Sequence, residues 1–434
     1  MEESYTQRVS LWTGIACTIV MSCYFFPFGF NFFMPKSFNT KIGLAVIGAV
    51  VVLYRCVISR QIILDKELLP PVFLVVLFSL ICFISVDYNN TADYTYATYF
   101  MSFLTWLSAA YSTYWFLRIF HQKVTFKLIV FYLTFTCVLQ CTLALLIDNV
   151  DSVKILVDQY ISQATIAENE FLNEVKRLYG IGAALDPAGT RFSIVLLAIA
   201  TVLANDISGT KNNGELFFFW GAFFFISFVG NIISRTTVIG MLMGLLLFMI
   251  ESKIIAVHIK SNSLKSIGIM LFILVISTLT GVYMYNSDDE MRTLLRYGFE
   301  GFFNWVEKGT WETGSTDLLM NAWLWPDNTR GWIIGYGLFD NWIYGTDIGY
   351  CRFVLYCGLI GMFAFSLFFI CNAWVCVYKF SNRNLFFLML LILSFVIWVK
   401  VSTDLFLIYA LLFCLEKEGT KNTDKYETSF GRLF

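Results

Sequence analysis

The chain has 434 residues, of which 58% are hydrophobic and only 14% charged, with a formal net charge of −1. Soluble domains carry about 25% charged residues, so this composition excludes an ordinary soluble fold and points to an integral membrane protein. Near-neutral charge gives no support for nucleic acid as a partner. The eleven cysteines fall almost entirely in or beside apolar runs, with no Cys-x-x-Cys spacing, which argues for small buried side chains rather than disulfides or zinc.

A helix needs about 20 apolar residues to cross a hydrocarbon core. Candidate runs occur at 11–33, 42–58, 68–86, 98–120, 126–147, 191–206, 216–232, 236–251, 266–284, 350–378, 384–400 and 402–415. The expectation is an all-α polytopic membrane protein of about twelve transmembrane helices, folded as a single domain over residues 1–434. The N-terminal decapeptide lacks the basic start of a signal peptide, so the first run is expected to be retained. Lys and Arg concentrate in alternate connections and in the C-terminal tail, which predicts both termini inside. Lys36 and Lys41, after the first run, break that pattern.

Two predicted outer loops are long, 148–190 and 285–349, and connections of that length are usually functional. Both are acidic, with seven Asp/Glu against three Lys/Arg in the first and ten against four in the second. Helix-like stretches occur in each, at Val150–Leu178 and Met291–Lys308. The second loop also holds six of the twelve tryptophans: Trp305, Trp311, Trp323, Trp325, Trp332 and Trp342. Their flat faces suit the C–H faces of pyranose rings; equally, tryptophans anchor membrane interfaces.

The two histidines, His121 and His258, lie in predicted inner connections, so histidine-based catalysis is excluded from the outer face. Arginine and carboxylate remain there. Arg191 opens a run, Arg235 sits in the turn Ser234-Arg-Thr236, Arg330 follows Asp327 in the second loop, and Arg352 stands at the start of the next run. Each alone could snorkel to lipid headgroups. Together they suit phosphate oxygens and the charge of a departing pyrophosphate. Asp347 is the best-placed carboxylate to orient or deprotonate an attacking hydroxyl, or else it pairs with Arg352; Asp186 is a weaker candidate of the same kind. Asp288-Asp-Glu290 reads as solvated, and Gly358-Leu-Ile-Gly361 as a small-residue helix contact. Lys400 and Asp404 are near-membrane charges and so functional suspects. If the last two runs are separate helices, both residues fall in or beside an exposed turn.

The run Gly331–Trp342, followed by Gly345–Gly361, resembles the O-antigen polymerase and ligase superfamily. Gly335-Tyr-Gly-Leu-Phe339, Thr346-Asp347 and Tyr356-Cys-Gly-Leu-Ile-Gly361 carry the likeness, with Asn231–Ile250 and Gly180–Ser193 as further matching segments. The resemblance implies a metal-independent inverting glycosyltransferase of GT-C-like architecture that needs no cofactor. Its implied substrates are undecaprenyl-pyrophosphate-linked oligosaccharides on the periplasmic side of the bacterial inner membrane. The partners implied are membrane lipids, a flippase and a chain-length regulator. Ligase-type members usually place a histidine where this chain has Thr346-Asp347, which favours a repeat-unit polymerase for O-antigen, capsule or exopolysaccharide. A ligase to lipid A-core and a lipid-linked oligosaccharide flippase remain as alternatives.

Overall fold

In apolar surroundings a backbone must satisfy its own N–H and C=O groups, and a helix does so within one segment. The computed structural model bears out that expectation for the apolar runs. It describes residues 10–31, 38–60, 65–163, 178–207, 213–253, 261–287, 289–310, 312–339 and 345–417. The principal helices are α1 (Leu11–Phe25), α2 (Thr40–Ser59), α3 (Leu69–Tyr88), α4 (Tyr99–Phe120), α5 (Phe126–Asn149), α6 (Asp151–Tyr160), α7 (Leu185–Val202), α8 (Asn213–Ile233), α9 (Thr237–Glu251) and α10 (Ser261–Ser287). The second long loop contributes α11 (Asp289–Gly298), α12 (Glu300–Lys308), α13 (Gly314–Asn321) and α14 (Thr329–Ile334). The chain then continues with α15 (Gly349–Lys379), α16 (Asn384–Ile397) and α17 (Phe406–Phe413). Among the described residues seven helices are long and apolar enough to cross a membrane: α2, α3 with the turn before it, α5, α7, α8, α10 and α15. The helices α1, α9 and α16 are apolar but shorter.

Local signals set several helix starts. Asn39 Oδ1 accepts from Ile42 N at 3.2 Å to cap α2, and Thr125 Oγ1 accepts from Leu128 N at 3.3 Å to cap α5, each satisfying one orphan donor. Prolines 70 and 71 occupy the first turn of α3, where a missing N–H is harmless.

In the packing of the apolar helices α2 lies on α4, α7 on α9, α3 on α15, and α1 on α5. Helix α7 lies at the centre; every residue from Phe192 to Val202 is buried. Around Trp398 the rings of Phe353, Phe365, Phe369 and Phe395 form an aromatic core, the Phe365 ring stacked at 5.4 Å. By contrast α10 presents almost no buried surface. The first long loop departs from the all-helical expectation. After α6 it forms strand β2 (Ile161–Gln163), which pairs antiparallel with β1 (Phe28–Phe30), inside the first predicted apolar run. That run stops being helical at Phe25.

The Gly358 region differs most from the sequence reading. Gly358 does meet a neighbouring helix, α14, at close range, but at φ +66° it also breaks α15. The carbonyls released by the break are recaptured from outside the helix. Tyr336 N donates to Leu355 O at 2.6 Å and Gly337 N to Tyr356 O at 3.0 Å. Ser85 Oγ on α3 also donates to Tyr356 O, at 2.7 Å. A Cβ on Gly358 would overlap the Ile333 carbonyl, and one on Gly335 (φ +84°) would overlap the Tyr356 carbonyl. Two glycines far apart in sequence thus let two backbones interlock.

Candidate functional site

The helix packing brings the starts of α2, α7, α9, α15 and α17 to one end of the bundle, with the ends of α1, α3, α8 and α16. The segment between α16 and α17, residues 398–405, is the hub of that end. It is closed by Trp398 Nε1 donating to Thr403 O at 2.8 Å and by Phe406 N donating to Asp404 Oδ1 at 2.9 Å. The last two apolar runs are separate helices, yet their connection is partly buried and engaged on several sides. An exposed turn with no special role is therefore the wrong description of Lys400 and Asp404.

Asp186, in the first turn of α7, is a heavily bonded carboxylate. Its Oδ1 accepts from Lys400 Nζ at 2.7 Å, Thr236 Oγ1 at 2.7 Å and Ser234 Oγ at 3.0 Å. The Ser-Arg-Thr turn is thus clamped to α7 by the residues flanking its arginine. Gly189 permits this approach, because a Cβ there would meet the Ser234 side chain at 2.5 Å.

Arg191 and Lys41 form a second group around Asp404. Arg191 lies over the Phe26 ring at 5.6 Å and makes one long hydrogen bond, Nη1 to Gly182 O at 3.5 Å. Lys41 Nζ stands over Trp106 at 4.6 Å. Both cations act electrostatically on the Asp404 carboxylate. Among the described residues, however, neither has a carboxylate oxygen within the 4.0 Å of an ion pair. Burial raises the Asp404 carboxyl above its usual range, with the Phe406 amide, Tyr99, Lys41 and Arg191 acting the other way. The loop leading to Arg191 is fixed by two amides. Gln140 joins Ser22 Oγ (3.0 Å) to Ile181 N (2.9 Å), and Gln163 joins Gly180 O (3.0 Å) to Gly182 N (2.9 Å).

Arg352 reaches the hub from α15. It donates to Ser402 Oγ at 3.0 Å and to Phe339 O at 2.5 Å, and its guanidinium covers the Phe339 ring at 4.0 Å. Asp347, two residues before α15, is exposed. Loss of water on one flank raises its carboxyl above the usual range; Arg352 and Lys400 pull it down, and Asp186 pushes it up. Asp347, Arg352, Asp186 and Lys400 are therefore electrostatic neighbours.

Two predicted site arginines are engaged elsewhere. Arg235 pairs with Glu300 of α12 at 2.7 Å and lies over the Tyr297 ring at 4.4 Å. Arg330 donates to Asn89 Oδ1 at 2.8 Å and covers the Tyr88 ring at 4.4 Å, at the end of α3. Its neighbour Asp327 is held by Tyr336 and Asn328. Of the tryptophans, Trp323, Trp325 and Trp332 form a ladder, with ring centroids 5.6 Å apart for the first pair and 5.5 Å for the second. Trp305 is exposed on α12 beside Phe302. Trp311, Trp342 and Asp288 lie outside the described residues.

No protein-family model, curated protein or solved structure matches the chain. Site chemistry therefore has to be read from its own residues. Sequence reasoning missed Lys41 and Glu300, and it named Lys400 and Asp404 only as suspects that a turn between separate helices would clear. Lys41 did leave a signal, as a positive charge on the wrong side of the expected topology.

Proposed function

We propose that the chain is a membrane glycosyltransferase that polymerises undecaprenyl-pyrophosphate-linked oligosaccharide repeat units on the periplasmic face of a bacterial inner membrane. Its termini would be cytoplasmic, and a flippase would deliver its substrates. The observation that carries this reading is the gathering of Arg191, Lys41, Arg352 and Lys400 with Asp186, Asp347 and Asp404 around residues 398–405. Partly burying two cations that lack a close carboxylate is unfavourable unless an anion arrives. Arg191 and Lys41 are therefore the residues assigned to the pyrophosphate, and Arg352 supports them.

In this reaction a hydroxyl of one lipid-linked repeat attacks C1 of the sugar on a second carrier. The new C1–O bond forms as the bond from C1 to the pyrophosphate oxygen breaks, and the hydroxyl proton passes to Asp347. Undecaprenyl pyrophosphate leaves with its negative charge stabilised by Arg191 and Lys41. Asp186 Oδ1 is taken up by Lys400, Ser234 and Thr236, which suits holding the site together rather than accepting a proton. The tryptophan ladder offers an apolar wall for sugars further along the chain.

The test is the surface polysaccharide of a deletion strain complemented with variants. Arg191→Ala and Asp347→Asn are expected to lower polymer synthesis by about 10²–10³, leaving core carrying a single repeat. A full ladder that accumulates on the lipid carrier instead would mark a ligase. An unchanged ladder would remove the proposal.

A further inference from the structure

Beside the Ser-Arg-Thr turn lies an open pocket of about 410 Å³, lined by Arg235, Arg296, Tyr297, Glu300, Phe303 and Asn304. We propose that this pocket is a pyranose-binding subsite. The source of its sugar rests on the reading above, namely the repeat unit next to the reacting bond; the chemistry of the pocket does not.

Its volume falls within the range of small-molecule sites, and its lining is unlike that of an anion site. The Arg235 guanidinium is matched by Glu300 at 2.7 Å, and Arg296 pairs with Glu307. With both cations neutralised locally, the pocket has little net charge with which to select phosphate. It offers planar hydrogen-bonding groups (guanidinium, carboxylate, carboxamide) between aromatic walls, the arrangement that suits a neutral ring bearing several hydroxyls.

Those groups are also held in place before any ligand arrives. Glu300 bridges two elements, with Oε2 on Arg235 and Oε1 accepting from Gly314 N at 3.2 Å at the start of α13. Asn304 Nδ2 donates to Glu312 O at 2.7 Å, which fixes its carboxamide plane. Phe303 stacks on Tyr285 at 5.4 Å. The C-terminal end of α11 is tied to α8 by Asn231 Nδ2 donating to Gly298 O at 2.7 Å. Such preorganisation lowers the entropy lost on binding.

Position completes the inference. Arg235 lines the pocket, while its neighbours Ser234 and Thr236 hold Asp186. Consecutive Cα atoms are only about 3.8 Å apart. A ring in the pocket is therefore separated from the carboxylate cluster by one turn of backbone.

Saturation-transfer NMR on the purified full chain in detergent tests this, with the methyl pyranosides of glucose, galactose, N-acetylglucosamine and glucuronic acid as probes. Transfer to ring protons of at least one probe is expected. Asn304→Ala should weaken that binding about tenfold, as should Tyr297→Ala, and inorganic pyrophosphate should not compete. Thermal unfolding of each variant separates lost binding from lost folding, and Val306→Ser, on the exposed side of α12, serves as the control. No transfer from any probe overturns the assignment, as does transfer that persists in Asn304→Ala. Competition by pyrophosphate overturns it too, marking an anion site. Sugar binding here with an intact ladder in the deletion strain would keep the subsite and remove polymer synthesis. A lost ladder without sugar binding would do the reverse.

Discussion

Asp347 and Asp404 are both carboxyls raised above the usual range, and the two make opposite kinds of prediction. Asp347 is assigned a proton-accepting role, so turnover should fall as pH drops through its raised pKa. Arg352 opposes that rise, so Arg352→Gln should move the acid limb of the rate profile to higher pH; an unmoved limb would sever the link. For Asp404 the consequence is stability. Its folded-state pKa lies above the unfolded value, so the folded chain holds the proton over the interval between them. Stability is highest below that interval and declines as pH rises through it. Asp404→Asn should flatten this decline in a thermal-unfolding series across the acidic range. The Asp186–Lys400 pair gives a third test. Lys400→Met should destabilise the fold by about 2–3 kcal/mol, and pairing it with Asp186→Asn should restore part of that loss, because no charge is then stranded. At this scale the arginines were legible, since charge against the topological bias is visible in one dimension. Their partners were less so: Glu300 is distant in sequence from Arg235, and Lys400 and Asp404, though suspects as near-membrane charges, could equally be the charges of a turn.

The helices were the most legible elements. Hydropathy placed α4, α5 and α15 within about two residues of their observed ends, because such a helix is decided by its own composition. The exceptions are places where a distant partner decides. Strand β1 exists only because β2 arrives from the first long loop, and the break in α15 exists only because residues 336–337 and Ser85 take over its carbonyls. The order Gly-x-Gly, then Gly-Leu-x-Gly, was visible as a pattern, whereas the interlock behind it was not. Gly358→Ala places a methyl in left-handed backbone against the Ile333 carbonyl. It should cost more than about 2 kcal/mol, read as a lower yield of folded protein or a lower unfolding temperature. Ser85→Ala removes one of the two hydrogen bonds on Tyr356 O and should cost about 1 kcal/mol. Equal effects of the two substitutions would contradict the interlock.

For the whole molecule the central expectation is that polar loops and basic connections face opposite sides of a membrane. Helix α15 has 31 residues, about 45 Å at 1.5 Å per residue, and it separates exposed Gly345 from exposed Asn382. In spheroplasts, a membrane-impermeant maleimide should label Gly345→Cys directly and Asn382→Cys only after permeabilisation. Labelling of both from one side would overturn the topology. The interlock of α15 also bears on how the chain is made. Its first half, up to Gly358, leaves carbonyls that Ser85, Tyr336 and Gly337 satisfy, and all three precede it in the sequence. A chain that emerges from the ribosome N-terminus first therefore has these partners of the broken helix in hand before that helix enters lipid. Reversing that order by circular permutation would ask the bilayer to accept bare carbonyls.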